Sequence, residues 1–369
     1  MKYYLIAGEN SGDLHASGLI KALKSQDREA AFRAWGGDRM EEAGAVLFRH
    51  YKEIEVMGFV EVLNKLPTIL RQIRDCKKDI LSWNPDVLIL IDYPGFNLRM
   101  ASFAHKAGIP VYYYILPQLW AWHSSRVKKL ARWVDHLFTI LPFEQTFYAQ
   151  YGLHADFSGH PLLDIIEDSN TPGRQLKADG RKQVALLPGS RAQEIQKILP
   201  VMLEVAARHP EMKFKIAGIS NRKSLYEGAR SFPNVAINWD EMHALLGDVD
   251  AALVTSGTAT LETALHKVPQ VVVYKGGLIN YQIGKWLVNV KYISLVNLIL
   301  EREAIRELIQ NEMTSDRLEE EMMKLFDPAI RNKITEAYEE LREQLGAPGV
   351  ALRTAKKMIG YLRQENLKK

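Results

Sequence analysis

The stretch from Ala251 to Lys275 leaves a chain little freedom in how it folds. The apolar run Ala251 to Val254 leads straight into the small polar turn Thr255-Ser256-Gly257-Thr258, and a helical pattern then continues to Lys267 before Pro269 stops it. A second apolar run, Val271 to Val273, follows at once. This order predicts a βαβ unit, because a strand without polar alternation needs cover on both faces. The first turn of a helix leaves backbone N–H groups unpaired, and after a parallel strand they point beyond the strand's C-terminal end. Ser256 and Thr258 add hydroxyl donors, Gly257 lets a ligand approach the backbone, and the helix dipole favours an anion such as phosphate. Glu262, one turn further on, is spaced to accept hydrogen bonds from two neighbouring ribose hydroxyls. The same residues also admit a plainer role, in which Ser, Thr and Gly only cap the helix and Glu262 is a solvated acid.

The alternation recurs along the chain. Tyr3 to Ala7 is a strand, followed by Gly8-Glu9-Asn10-Ser11-Gly12-Asp13 and a helix to about Lys24. No Gly-Lys-Ser/Thr ends this turn and the dinucleotide spacing is absent, so it is neither a Walker loop nor that fingerprint. Its glycines let a ligand approach the backbone, and Ser11 or Asp13 caps the helix. Asp86 to Ile91 reads as a fully buried parallel strand ending in Asp92-Tyr93-Pro94-Gly95. A carboxylate there lies where open α/β sheets bind ligands, or else it caps the next helix.

Val111 to Leu116 and Leu137 to Ile140 are further strands, and Ser158-Gly159-His160-Pro161 closes the first half. From Arg99 through Trp133 the chain carries Trp120, Trp122 and six Lys or Arg residues, Arg99 and Arg126 among them, with no acid. Positive potential beside aromatic rings suits an anionic, partly apolar ligand; the plainer alternative is a tryptophan-filled core with a basic helix face. In the second half Val184 to Leu187 leads into Pro188-Gly189-Ser190-Arg191, whose guanidinium fork stands where phosphate oxygens would arrive.

Two such series imply an α/β chain of two Rossmann-like, doubly wound domains facing each other across a cleft. The expected boundaries are 1–166, a polar linker at 167–182, a second domain at 183–345, and a helical tail at 346–369. A length of 369 residues with 47% hydrophobic side chains is enough for two cores. The single cysteine, Cys76, excludes an internal disulfide, and a net charge of +4 is too mild to argue for nucleic acid. Met1 runs almost directly into a strand, and no apolar run approaches the ~20 residues of a membrane span, so a cytoplasmic chain, free or bound to the inner membrane face, is expected. Met57 to Leu70 is apolar on more than one side, and Arg71, Arg74, Lys77 and Lys78 follow it. That pattern suits an interfacial membrane segment contacting lipid through Phe59, Val62 and Leu66, or an ordinary core helix with a charged face.

GENSGD, DYPGFN, PQLWAWHSSRV, LPFE at Leu141 to Glu144, SGHPLLD, LLPGSRAQEI, SGTATLE and SLVNLI at Ser294 to Ile299 occur in that order. As an ordered set covering nearly the whole chain, they resemble the lipid-A-disaccharide synthase family. The resemblance implies a type B glycosyltransferase that joins a UDP-linked diacylglucosamine to diacylglucosamine 1-phosphate through a β-1,6 bond and releases UDP. By similarity, Arg191, Ser256, Gly257 and Thr258 hold the diphosphate, Glu262 the ribose, and Asn297 adds a polar contact. Asp92 stands at the reacting hydroxyl, and Glu9 and His160 are its competitors as base. Glu9, Ser11, Gly12, Trp120, Trp122, Arg126 and His160 line the acceptor side. The family often has a second aspartate where this chain has Gly95, which leaves Asp92 alone in that loop.

The family is peripheral on the inner face of the cytoplasmic membrane, and its tail crosses to a first domain of a partner chain, which implies a homodimer. No cofactor is expected. The acidic pair Asp248 and Asp250 precedes its strand and so falls at the wrong end of the sheet for a ligand; no metal is expected either. A UDP-sugar epimerase of the same architecture, or a membrane-bound nucleotide-binding module without catalysis, would share the nucleotide half.

Overall fold

The computed structural model describes residues 1–54, 66–120, 126–168, 180–276 and 291–367. They divide into two compact units, one made of Met1–Pro161 with Ala347–Lys369 and the other of Leu162–Gly346. The first is built on β1 (Lys2–Ala7), β2 (Ala31–Gly36), β3 (Val46–His50), β4 (Val87–Ile91), β5 (Val111–Tyr114), β6 (His136–Thr139) and β7 (Ala155–Phe157). They form one parallel sheet in the order β3-β2-β1-β4-β5-β6-β7. The second has β8 (Gln183–Leu187), β9 (Lys213–Gly218), β10 (Val235–Trp239), β11 (Ala251–Thr255), β12 (Gln270–Tyr274) and β13 (Glu307–Ile309). Their order, again all parallel, is β10-β9-β8-β11-β12-β13.

Both sheets follow one physical rule. Every residue of β4 and of β11 is buried, as unbroken apolar runs demand. In the first sheet Tyr3, Leu5, Val87, Ile89 and Ile91 face one side, and Tyr4, Ile6, Leu88 and Leu90 the other, the period-two consequence of the pleat. Strand order reverses beside the first strand of each sheet: β1 pairs with β2 and β4, and β8 with β9 and β11. At such a switch point the connecting helices leave on opposite faces and open a crevice beyond the strand C-termini. The turns after β1, β4, β8 and β11 therefore border the two crevices, and these are the four turns that carry Glu9, Asp92, Arg191 and Ser256.

The C-terminal helix, Val350–Leu367, belongs to the first unit. Ala355, Met358, Ile359 and Leu362 enter the core beside Leu19, Ile20 and Leu23 of the helix Asn10–Gln26, whereas Leu352 is exposed. Asp156 fastens the helix by accepting from Lys357 Nζ at 2.6 Å and from the Tyr361 hydroxyl at 2.8 Å. Truncating one of its large buried side chains to alanine typically costs ~2–5 kcal/mol, so the helix is structural to the unit it covers.

Phe59 and Val62 lie outside the described residues, and Leu66 enters only as the first residue of the helix Leu66–Trp83. Among the described residues, no helix is long and apolar enough to cross a membrane.

Candidate active site

In the first unit the chain leaves β4 through two successive left-handed residues, Asp92 at φ +44° and Tyr93 at φ +48°. Across the crevice edge Ile115, directly after β5, has φ +61°, which is strained for a β-branched side chain. Such conformations cost about 1–3 kcal/mol each and persist only where the surroundings enforce them. Here they do. The Asp92 N–H donates to the Ile115 carbonyl at 3.1 Å, and the Asp92 carbonyl accepts from the Tyr113 hydroxyl at 2.6 Å and from Nδ2 of the buried Asn97 at 2.7 Å. Burial, helped by the negative charge of Glu9, pushes the Asp92 carboxyl up to about 6, while the Tyr93 N–H pulls the other way. A carboxylate of that basicity is suited to taking a proton near neutral pH.

The glycine turn after β1 has a different character from the one its sequence suggests. A Cβ on Gly8 would come within 2.4 Å of the Tyr93 ring, so Tyr93 closes the approach a ligand would use. Gly12 is buried, and a Cβ there would meet Ala7 at 3.3 Å and Ile91 at 3.7 Å; its smallness serves helix-to-sheet packing. Asp13 does not cap its own helix. Its carboxylate reaches the next turn and accepts from the N–H groups of Gly37 at 2.8 Å, Met40 at 3.1 Å and Arg39 at 3.2 Å. Glu9 and Ser11 are exposed at the start of the helix.

His160 is fully buried, and that burial together with His15 pushes its imidazole down to about 3. A ring so reluctant to charge is a poor general base, which favours Asp92 over it. Trp120 is held by Glu144, whose carboxylate accepts from the indole N–H at 3.2 Å and from the Leu141 N–H at 3.0 Å, and by the edge of Phe143 at 5.0 Å. Burial pushes the Glu144 carboxyl up to about 7. Arg126 directly precedes the helix Val127–Trp133, and Trp122 lies outside the described residues.

In the second unit the helix Thr258–Leu265 starts at the crevice edge, with Gly257 and Thr258 exposed and no atom within 4 Å of a Cβ placed on Gly257. The Ser256 hydroxyl points inward and donates to the Ile293 carbonyl at 2.7 Å, so it braces the turn. Arg191 is exposed, its guanidinium 3.0 Å from Glu194 Oε1. Glu194 also accepts from the Ser190 and Arg191 N–H groups, capping the helix Ala192–Arg208, and Gly189 at φ +104° makes room for it.

Glu262 is buried, and desolvation alone pushes its carboxyl up to about 7. His243 Nε2 lies 3.4 Å from Glu262 Oε2, and burial also lowers the His243 pKa. Both shifts favour the neutral forms, so the pair is a polar contact rather than a full ion pair at neutral pH.

Asn297 is committed to the fold. Its Nδ2 donates to the Ile305 carbonyl at 2.8 Å and to Glu307 Oε1 at 2.9 Å, and its Oδ1 accepts from Ala304 N–H at 2.8 Å and Ile305 N–H at 3.1 Å. Two donors and two acceptor sites are all an amide has, so no capacity is left for the nucleotide contact expected of it. Glu307 is the hub of this network, accepting also from the N–H groups of Ile293 at 3.0 Å and Ser294 at 2.9 Å. Through Ile293 the network supports Ser256. At the opposite, N-terminal edge of the sheet, Asp250 accepts from the Gln183 N–H at 2.8 Å and Asp248 pairs with Lys215. Among the described residues, no group of three His, Cys, Asp or Glu side chains could hold a metal ion.

The two crevices also draw on Tyr113, Asn97, Glu144, Glu307 and His243, none of which the sequence singles out as a site residue. Asn97 and Glu144 sit inside DYPGFN and LPFE, so a signal was present for both. Glu307 and His243 carry none, because their partners become neighbours only when the sheet forms.

Two all-parallel α/β units with polar turns at their switch points define the type B glycosyltransferase fold. The glycosyltransferase of kitacinnamycin has the same fold at a TM-score of 0.69, with 15% identity over 98% of this chain and 99% of its own. So does a UDP-GlcNAc 2-epimerase from Neisseria meningitidis bound to UDP-GlcNAc, at a TM-score of 0.64 and 13% identity over the full length of both chains. The sequence is more specific. A family model described as lipid-A-disaccharide synthetase matches residues 3–357. Lipid-A-disaccharide synthases from Trichlorobacter lovleyi and Geobacter sulfurreducens are each 38% identical to it, the first over 98% of this chain and 97% of its own, the second over 95% and 94%. The chain belongs to the lipid-A-disaccharide synthase family and is a glycosyltransferase.

Proposed function

We propose that this chain joins UDP-2,3-diacylglucosamine to 2,3-diacylglucosamine 1-phosphate, giving a β-1,6-linked disaccharide 1-phosphate and UDP with inversion at the anomeric carbon. The observation that carries the reading is Asp92, a carboxylate with its pKa raised to about 6, enforced in a strained turn at a switch point. In the proposed step the acceptor's 6-hydroxyl gives its proton to Asp92 as its oxygen attacks the anomeric carbon. The bond from that carbon to the diphosphate oxygen breaks. Charge developing on UDP meets Arg191, released from Glu194, and the N–H groups and hydroxyl at Thr258, the kind of fixed dipole that stabilises a leaving group. Ser256 and Asn297 act indirectly by shaping that turn, and Glu262 accepts from the ribose hydroxyls. On the acceptor side, Trp120, Trp122 and Arg126 frame the sugar and its phosphate.

The reading includes no cofactor and no divalent ion. It places the protein on the inner face of the cytoplasmic membrane through Phe59, Val62 and Leu66. Incubation with the two lipid substrates should give a product with the mass of the disaccharide phosphate and an anomeric proton coupling of the β form. A product isomeric with the UDP-sugar would establish the epimerase instead, and no turnover would leave only a binding module. Replacing Phe59, Val62 and Leu66 with serine should reduce co-sedimentation with anionic vesicles without unfolding the chain; unfolding would identify them as core.

A further inference from the structure

Glu262 does not stand alone in the nucleotide crevice. The helix Met242–Leu246 brings His243 to it, and His243 Nδ1 lies 3.2 Å from His266 Nε2. His266 in turn follows the helix Thr258–Leu265, and its backbone N–H donates to the Glu262 carbonyl at 3.0 Å. The three side chains form a row, His266 to His243 to Glu262, with heteroatom separations of 3.2 Å and 3.4 Å.

Such a row has a direction. An imidazole-to-imidazole hydrogen bond needs one N–H and one lone pair, and burial keeps both rings neutral, His266 being pushed down to about 4. If His266 carries its proton on Nε2, His243 accepts at Nδ1 and must carry its own proton on Nε2, facing Glu262 Oε2. The reverse direction goes with a protonated Glu262, which burial favours in the free protein; a bound diol needs both carboxylate oxygens as acceptors and so selects the ionised form and the first direction. At 3.4 Å the last contact is longer than the ~2.7–3.2 Å of an N–H···O bond.

We propose that His243 is a positioning residue for nucleotide recognition: fixed in one tautomer by His266, it pins one oxygen of Glu262 so that the carboxylate's remaining lone pairs face the vicinal hydroxyls of a ribose. This rests on the reading of Glu262 as the ribose contact. It adds a residue outside the quoted motifs, on a different helix, that decides between ribose and its 2′-deoxy form. Discrimination follows because a buried acceptor oriented for two hydroxyls is left partly unpaired when one is missing.

Calorimetry on the full chain with UDP and 2′-deoxy-UDP tests it. The unaltered protein should prefer UDP, and Glu262→Gln should lose that preference. His243→Ala should weaken UDP by about tenfold while changing 2′-deoxy-UDP little, the size expected for losing one hydrogen bond to a charged group. His243→Gln, which keeps an N–H, should recover part of the loss. With the sugar donor, KM should rise more than kcat falls. If His243→Ala does not fold, the Gln variant and a His266→Ala variant, which frees the tautomer, carry the comparison. Equal weakening of both nucleotides, or an unchanged preference, would make His243 a packing residue and overturn the inference alone. No preference in the unaltered protein would overturn the Glu262 reading, and this inference with it.

Discussion

Asp92→Asn is expected to lower kcat by ~10²–10⁴-fold, the usual contribution of a positioned general base, while UDP affinity stays within about twofold. The asparagine keeps the size and the left-handed tolerance of aspartate, so the turn held by Tyr113 and Asn97 should survive and the loss should be chemical. The pH profile gives a second signature. Because burial and Glu9 raise the Asp92 pKa to about 6, the carboxylate is scarce below that pH and dominant above it. Activity should therefore climb as pH rises through about 6 and then level, and the variant should lack this limb. Near-normal turnover in Asp92→Asn, beside a collapse in Glu9→Gln, would move the base to Glu9.

Asn297→Ala should act on stability rather than on chemistry. The change removes four hydrogen bonds from a fully buried site and leaves the Ala304 and Ile305 N–H groups and the Ile305 carbonyl without their amide partner. Unsatisfied buried groups cost ~1–3 kcal/mol each, so after partial relaxation a net loss of roughly 4 kcal/mol is expected. For a unit of this size that lowers Tm by roughly 10 °C. UDP binding measured well below the new Tm should weaken only modestly, through the slackened Ile293 and Ser256 contact. An unchanged Tm with a large loss of UDP affinity would return Asn297 to the nucleotide as a direct contact.

Asp92 and Asn297 differ in how local the forces that place them are. Asp92 was legible because its placement follows from local facts: an unbroken apolar run must end somewhere, and Pro94 and Gly95 show where. Asn297 bonds Ile305 and Glu307 rather than the nucleotide, and nothing in its local sequence shows this because Glu307 is set by the pairing of β13 with β12. Gly12 and Gly8 make the same point, since a glycine needed for packing against Ala7 or Tyr93 looks in sequence like one needed by a ligand.

The alternation of buried strands with helices, the polar turns at the strand ends and the membership of the family are all legible in the order of residues. Periodicity and turn chemistry act over a few residues, so they are written in the order of the side chains. Which turns share a crevice is settled by the pairing of strands far apart in the chain, β4 with β1 and β11 with β8. The family resemblance implies a tail that crosses to a first domain; in the structure the contacts that seat it are Asp156, 201 residues before Lys357, and the apolar face of the first sheet of its own chain. Contacts across such separations are selected by shape and by hydrogen-bond satisfaction over whole surfaces, which no local stretch encodes.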